Sequence, residues 1–414
     1  MTANEPQHVL FSKKGQVIYL WPYLEWGGAQ IYFAGIMKLA KLRYEILAAM
    51  PLSSDRKLIG YMERIGIDCE FFPAHLDTSQ ARFLWAKIRR RIKNAYCSFV
   101  IFKYLSRKPL KRIILHLDIA PWSSFLLLSY LSMRTNVNVT LHIAMPRASF
   151  LRRSEWQFKF RILSLFPHFS LLASNRDMLE SLRRYLPSDY LSSVPIAYTG
   201  VDINEIKRVL NAHLDRHYLC RRYGLPSHRF LIFSLGQLIL RKGSLVLLEA
   251  VKELRVFPDC PFFVWIGEGA LRKDVERLID RDSMHDYFKI IRPANIGPDR
   301  FEVLALVSLA DLFVLPSFSE GLPGALLEAM ALGKPCIASR INAIPEAVKD
   351  HETGLLVPAG DSVALAAAIR LLMSDNVLRE RLAQSGQAYV NEHFDERIAA
   401  QITMHHYEAY RRRQ

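Results

Sequence analysis

Short apolar, β-rich runs alternate with helical runs along this chain, and that alternation constrains its fold more than any other feature. VIYLWPY (17–23) is followed by a Gly27-Gly28 turn and a helical pattern from Ala29 to Leu42. EILAAM, CEFFPA, RIILHL and VNVTLHIA (137–144) read as further strands, and SLLASN (170–175) opens the polar-faced helix DMLESLRRYL. The pattern restarts after about residue 200 with FLIFSLG (230–236), SLVLLEAVKEL, FFVWIG (262–267) and ALRKDVERLID. It then runs through FKIIRP, VLALVSLA, DLFVLP, PGALLEAMALG, KPCIAS, IPEAV and GLLVP. Strands alternating with helices specify a parallel sheet covered on both faces. Two such series in 414 residues, half of them apolar, predict two doubly wound Rossmann-like domains. The segment from Ala197 to Leu225 lies between them, and the boundary is placed near residue 200. Stacked α/β units face each other across a central cleft at the carboxyl ends of their strands, where ligands of open α/β sheets bind.

Charge is divided unevenly between the two series. Residues 1–200 carry 28 basic and 13 acidic side chains, whereas residues 201–414 carry 27 of each, so the net charge of +15 sits in the first half. That asymmetry points to an acidic partner of the N-terminal half. From Ala81 to Arg112 there are eleven basic residues and no acidic one, interleaved with Phe83, Trp85, Ile88, Ile92, Tyr96, Phe99, Phe102 and Tyr104. A second stretch, Arg147 to Arg161, carries Phe150, Leu151, Trp156, Phe158 and Phe160. Basic faces bearing Trp, Phe and Tyr suit helices lying in an anionic membrane interface, where each Lys or Arg contributes ~1 kcal/mol. The alternative is a solvated charged face over an apolar core stripe. Nucleic acid is set aside as a partner, because no nucleic-acid module signature is present.

Other classes fall away on simple counts. The five cysteines (Cys69, Cys97, Cys220, Cys260 and Cys336) are scattered, with no C-x-x-C, so neither a disulfide framework nor a zinc site fits. A reducing cytosol is the simplest expectation. Residues 1–16 lack the apolar core of a signal peptide, and no run reaches the ~18 apolar residues of a membrane span. Asp280-Arg281-Asp282 lies at the end of a charged helix and is not read as a metal site. Gly267-Glu268-Gly269 lacks the third glycine of a dinucleotide fingerprint.

The densest stretch is LPSFSEGLPGALLEAMALGKPCIAS (315–339). A strand ends near Pro316, Ser319-Glu320-Gly321 turns, Pro323 suits a first helical turn, and Gly333 fits the helix C-terminus. Backbone N–H groups at that helix N-terminus form an anion site suited to a diphosphate. Glu328 lies among Leu326, Leu327, Ala329 and Met330, where a carboxylate is costly without a partner. A sugar diol, with two O–H donors, would be one. Glu320 is placed at the tip of the preceding loop. Taken singly, Glu320 reads equally as a solvated loop residue and Glu328 as a helix residue paired with a surface lysine.

Glu320 and Glu328 form an E-x7-E pair, and with SEGLPGALLEAMALGKPCIAS around it the stretch resembles the donor-site motif of retaining GT-B glycosyltransferases, specifically family 4 (glycosyl transferases group 1). SLGQLILRKGSLVLLEAV resembles that family's G-R-L-x-x-x-K-G segment, FVWIGEGALRKDVERL its G-x-G, L-R segment, and SVPIAYTGVD its I-P-N-G-V-D junction marker. TLHIAMP and WGGAQ resemble the N-domain T-x-H strand end and G-G loop. The C-terminal half is covered almost throughout, the N-terminal half only by these short markers. The resemblance implies a GT-B fold with an acceptor-side domain over 1–199, a nucleotide-sugar donor domain over 200–395, and a C-terminal helix over 396–414 packing back toward the N-domain. It implies a metal-independent, retaining glycosyltransferase without a cofactor. The donor is a UDP- or GDP-linked sugar, and the acceptor is lipid-linked or a glycan of cell-surface polysaccharide or lipopolysaccharide biosynthesis. The expected location is cytoplasmic, peripheral on the inner face of the membrane, through 81–112 and 147–161. A soluble anionic acceptor, or a non-catalytic relative that binds nucleotide sugar, are the alternatives.

Residue by residue, Lys242 matches the lysine that meets the diphosphate, Glu320 the glutamate near the transferred sugar, and Glu328 the one that grips the ribose. His142 matches a strand-end histidine contacting the donor sugar. Gly27, Gly28, Gly236 and Gly267 fall in the donor-binding segments, and the backbone of Gly321, Leu322 and Pro323 lines the donor. The chain departs from the family at Gln237, where an arginine is usual. A bidentate phosphate contact is lost there, and Arg241 is the neighbour that could replace it. Gln30 likewise stands where many relatives carry an acid.

Overall fold

The computed structural model describes residues 13–24, 27–77, 83–121, 123–145, 149–297 and 299–411. Parts of both basic stretches, Ala81-Arg82 and Arg147-Ala148, lie outside the described residues, as do 412–414.

The first sheet contains β1 (Gln16–Leu20), β2 (Glu45–Pro51), β3 (Asp68–Phe72), β4 (Ile113–Leu117), β5 (Asn136–Leu141) and β6 (Phe169–Ala173), in the order β3-β2-β1-β4-β5-β6. The second contains β7 (Leu231–Leu235), β8 (Phe262–Ile266), β9 (Phe288–Ile291), β10 (Leu312–Leu315), β11 (Cys336–Ser339) and β12 (Leu355–Val357), in the order β12-β11-β10-β7-β8-β9. Every pairing is parallel, with Leu20 level with Ala49 and Leu117, and Phe313 level with Phe233 and Cys336. In each sheet the order reverses beside the domain's first strand, β1 or β7. Successive crossovers therefore cover opposite faces, and a crevice opens at the carboxyl ends of those strands. The two doubly wound domains expected from the alternation are present.

Local chemistry explains where the strands stop. The run 17–23 ends as a strand at Leu20, and Pro22 just beyond it has no N–H to give a ladder. The run 137–144 ends at Leu141. Beyond it the Asn175 Nδ2 group donates to the His142 carbonyl at 2.9 Å, which places His142 past the strand. Strands β4, β5, β6, β8 and β10 are buried along their whole length, as sheets covered on both faces require. Buried Asn138 and Thr140 of β5 are satisfied across strands: Asn138 donates to the Leu115 carbonyl at 3.3 Å, and Thr140 Oγ1 lies 2.6 Å from His116 Nε2.

The helices Ile203–Leu210 and Arg216–Tyr223 bury Ile203, Ile206, Val209 and Leu219 in the core of the second domain. The last helix, Glu396–Arg411, crosses back to the first domain. There Ala399, Ala400, Met404 and Tyr407 pack with Tyr19, Phe33 and Met37 against the helix Gly28–Ala40. Tyr407 hydrogen-bonds with Tyr19 (2.9 Å between oxygens) and with His116 Nδ1. Cross-domain polar contacts fix the cleft: Glu346 accepts from the N–H groups of Arg176 (2.9 Å) and Asp177 (2.8 Å), at the start of the helix Arg176–Leu182. Lys38 pairs with Asp202 and, at 3.2 Å, with Glu396.

Candidate active site

Two loops of the second domain meet because β7 and β10 are neighbours. After β7 come Gly236-Gln237, the 3-10 turn Leu240–Lys242, Gly243 and the helix Ser244–Leu254. After β10 come Pro316 to Pro323 and the helix Gly324–Ala331. Gly243 has φ of 73°, and a Cβ there would lie 1.9 Å from the Pro316 carbonyl oxygen, so only glycine lets the loops close on each other. The Phe318 N–H then donates to the Arg241 carbonyl at 2.8 Å.

This closure lays two cations on one carboxylate. Lys242 Nζ stands 2.6 Å from Glu320 Oε1, and Arg241 Nη1 stands 3.2 Å from Glu320 Oε2 and 2.9 Å from the Ser319 carbonyl. Ser317 Oγ donates to Glu320 Oε1 at 2.7 Å, and the Glu320 N–H donates to Asn342 Oδ1 at 3.3 Å. Glu320 is only 4% exposed. The loop-tip expectation is corrected: Glu320 folds inward because its partners satisfy a carboxylate that would otherwise be costly to bury. Two cations and one anion leave the cluster at +1, beside a helix N-terminus with the same sign of dipole.

That helix begins at Gly324 with Pro323 as its N-cap, one position earlier than the first-turn placement read from sequence. Gly333, φ 69°, ends it. Leu322 points into the core of the second domain, which leaves only its backbone toward the cleft. Glu328, buried, pairs with Arg300, the first residue of the helix Arg300–Val307, and not with a surface lysine. Its second oxygen, Oε2, is buried with no hydrogen-bond partner among the described residues. A buried acceptor left unsatisfied is costly and marks a place where a donor group belongs.

The first domain supplies the opposite wall. Gly27 is the N-cap of the helix Gly28–Ala40, and its N–H donates to Gln30 Oε1 at 2.9 Å. Gln30 is thus a buried capping group. A Cβ on Gly28 would meet no atom of the described residues within 4 Å. The same helix carries Tyr32 and Phe33 edge-on to His142, with ring centroids 5.0 and 5.7 Å away. Burial pulls the His142 imidazole down to about 4, so it is neutral at pH 7. Its Nε2 is buried and unpartnered among the described residues. His142 also meets the loop after β10 directly: a Cβ on Gly321 would lie 2.4 Å from its carbonyl oxygen.

Not every expected residue lines the cleft. Gly236 gives its N–H to Ile266 (3.0 Å) and takes the Trp265 indole N–H (2.9 Å) on its carbonyl. What it offers the site is a bare surface along which the Lys242 stem lies, with Lys242 Cδ 3.5 Å from where its Cβ would be. Gly267 is buried, and a Cβ there would sit 1.9 Å from the Gly236 oxygen, so it supports Gly236 from behind. Gln237 is exposed and carries no charge. Arg300, Ser317 and Asn342 are site residues that the sequence reading did not single out. No local pattern links Arg300 to Glu328, 28 positions away, and only the packing of the two helices joins them.

The basic surface divides into two faces. On the helix Leu84–Leu105, Cys97, Ile101 and Leu105 are buried. On the opposite face Trp85, Ile88, Ile92, Tyr96 and Phe99, three or four positions apart, form an exposed stripe, with Trp85 80% and Ile92 65% accessible. Arg89 and Arg91 flank it, both exposed. Phe150 and Leu151 open the helix Phe150–Ser164 equally exposed. Trp156 and Phe160 depart from the interfacial expectation: both are buried against Tyr185. Among the described residues no helix is long and apolar enough to cross a membrane.

Residues 219–389 match the family described as Glycosyl transferases group 1. The lipopolysaccharide core biosynthesis glycosyltransferase LpsD of Rhizobium meliloti is 34% identical over 174 residues, 42% of this chain and 47% of LpsD. The chain thus spans about half the length of the curated relatives it matches. The whole architecture is similar to a crystal structure of a glycosyltransferase from Rickettsia africae (TM-score 0.73, 17% identity, 97% of this chain and 99% of that one). It is equally similar to Anabaena Alr3699/HepE in complex with UDP-glucose (TM-score 0.73, 18% identity, 95% and 100%). At such identities the likeness is one of fold, and that fold is GT-B.

Proposed function

We propose that this protein is a glycosyltransferase that moves a sugar from a nucleotide-diphosphate sugar, UDP- or GDP-linked, to a lipid-linked or glycan acceptor in cell-surface polysaccharide assembly. The observation that carries the reading is the Arg241–Lys242–Glu320 cluster, net positive and set beside the N-terminus of the helix Gly324–Ala331. In sugar transfer from a diphosphate, the bond from the anomeric carbon to the phosphate oxygen breaks and the leaving group gains charge. Fixed cations and a helix N-terminus stabilise that charge, and this reading needs no metal ion. Lys242 is assigned to the diphosphate and Glu328 Oε2 to the ribose hydroxyls. Neutral His142 offers its unpartnered Nε2 to the donor sugar. Transfer is proposed to retain anomeric configuration by displacement on one face, the acceptor proton passing to the departing phosphate oxygen.

The exposed stripe Trp85–Phe99, flanked by arginines, supports docking on an anionic membrane surface, with the cytoplasmic face as the proposed location. The naming of LpsD in lipopolysaccharide core biosynthesis supports an acceptor of that class, and the UDP-glucose held by Alr3699/HepE makes it the first donor to try. A thermal-shift panel of UDP, GDP, ADP and their sugar derivatives, with EDTA throughout, tests the reading. A ligand at 100 times its dissociation constant stabilises by ~2.7 kcal/mol. A selective shift with one diphosphate is expected. No shift with any of them sinks the donor-site reading and favours a relative that binds a partner and transfers nothing, which the exposed, uncharged Gln237 also suits.

A further inference from the structure

One turn of the second domain touches both walls of the cleft. β11 ends at Ser339, and the chain passes through Asn342 into the short helix Ile344–Ala347. Asn342 Oδ1 accepts the Glu320 N–H at 3.3 Å, and its Nδ2 donates to Asp177 Oδ2, in the first domain, at 3.4 Å. The partners fix which end of the amide faces which, because a backbone N–H only donates and a carboxylate only accepts. Four positions on, Glu346 takes the Asp177 N–H at 2.8 Å, so the same turn holds Asp177 by main chain and side chain. Asn342 has φ of 43°, in the left-handed region that asparagine tolerates and most residues avoid. That bend presents the amide between its two partners.

The contact continues through the first domain back to the site. Two residues before Asp177, Asn175 accepts the Met178 N–H on Oδ1 at 2.8 Å and donates from Nδ2 to the His142 carbonyl at 2.9 Å. The His142 carbonyl faces Gly321, where a Cβ would lie 2.4 Å from it. A closed ring results, running Glu320, Asn342, Asp177, Asn175, His142, Gly321, with three members from each domain. The nucleotide part of the proposed site is built within the second domain, where Lys242 meets Glu320 and Arg300 meets Glu328. The sugar part needs both domains, because His142 stands on the wall opposite Glu320. Asn342 and Asn175 tie those walls in register.

We propose that Asn342 is a positioning residue for sugar transfer: by joining the Glu320 N–H to the Asp177 carboxylate, it sets the loop after β10 against His142 so that both walls grip the transferred sugar together. This rests on the sugar-transfer reading above and adds the residue that aligns its two halves. Asn342 is exposed, so it orders the site without carrying much of the fold's stability.

The test uses titration calorimetry on the full chain with UDP, UDP-glucose, GDP and GDP-glucose. Asn342→Asp keeps an acceptor for the Glu320 N–H, tolerates the same φ, and sets a carboxylate against Asp177. It is expected to weaken the glucose derivative about fivefold, the loss of one hydrogen bond, while the parent diphosphate stays within twofold. Combining it with Asp177→Asn returns a donor to the pair from the other side, and the double variant is expected to regain the wild-type ratio of the two affinities. Asn342→Gly also accepts the backbone bend, adds no charge beside Glu320, and is expected to lose the glucose derivative at least as far. Equal affinities in wild type and Asn342→Asp overturn the proposal, as does equal weakening of diphosphate and glucose derivative, the mark of a merely structural role. Failure of the double variant to recover overturns the pairing with Asp177. A wild type that binds a diphosphate but rejects its glucose derivative overturns the two-walled grip. A wild type that binds neither diphosphate instead overturns the donor reading beneath it.

Discussion

Lys242→Met separates two things the lysine does. In the fold it neutralises Glu320, at 2.6 Å and 4% exposed. In the proposed reaction it faces the diphosphate. Removing one partner of a buried ion pair costs ~3–5 kcal/mol, and here the lower end applies, because Arg241 at 3.2 Å and the Ser317 hydroxyl at 2.7 Å still attend Glu320. The lost attraction for a diphosphate charge ~4 Å away, at an effective dielectric of ~20, is about 4 kcal/mol before desolvation is subtracted. A net loss of about 2 kcal/mol, or ~30-fold in UDP affinity, is the working figure. Adding Glu320→Gln removes the stranded charge, so the double variant recovers most of the stability. It does not recover UDP binding, because no cation returns to Lys242's place. Denaturant unfolding and titration calorimetry with UDP, on the wild type, both single variants and the double, read the two quantities separately. A Lys242→Met protein as stable as the wild type would refute the packing argument. UDP bound as tightly by the double variant as by the wild type would show that Lys242 serves only to neutralise Glu320.

Three further outcomes follow from the structure. Glu328→Gln is expected to erase discrimination between UDP and 2′-deoxy-UDP, which the wild type makes by about tenfold through the free Oε2 acceptor; competition titration measures both ratios. Glu346→Ala removes the cross-domain acceptor of the first two N–H groups of the helix Arg176–Leu182 at a cost of ~1 kcal/mol and loosens the cleft, so small-angle scattering of the unliganded variant shows a larger radius of gyration. His142 carries a signed pH dependence. Its imidazole falls from 6.5 to about 4 on burial, so its stabilising contribution is complete above pH 6.5 and is lost as pH drops through about 4. Asp118 and Glu396, both raised to about 7, act with the opposite sign. The readable quantity is therefore the Tm difference between wild type and His142→Gln, which shrinks as pH falls from 7 to 4; a constant difference refutes the assignment.

Periodicity alone carried the sequence to two parallel sheets, because strands buried on both faces must be short apolar runs and their crossovers must be helices. Glycine and proline punctuation located the loop after β10, since Gly321, Pro323 and Gly333 suit only a few backbone shapes, whereas the segment after β7 was marked by its resemblance to the family's G-R-L-x-x-x-K-G run. What sequence could not give was the direction of each side chain. Glu320 reads as a loop-tip residue until β7 and β10 are set side by side and two cations close over it. Glu328 has no local partner, and Arg300 reaches it only when two helices pack. Trp85 and Trp156 both sit in basic helices, yet Trp156 is buried against Tyr185 and Trp85 is exposed.

The sequence by itself determined the fold class, the order of its elements and the positions where backbone must turn tightly, because those follow from local sterics and burial periodicity. Only the tertiary structure decided which charges meet, which polar atoms stay unpartnered and which aromatic residues face solvent. Those outcomes depend on neighbours tens or hundreds of positions away: Lys242 with Glu320, Arg300 with Glu328, and the Gly321 backbone against His142.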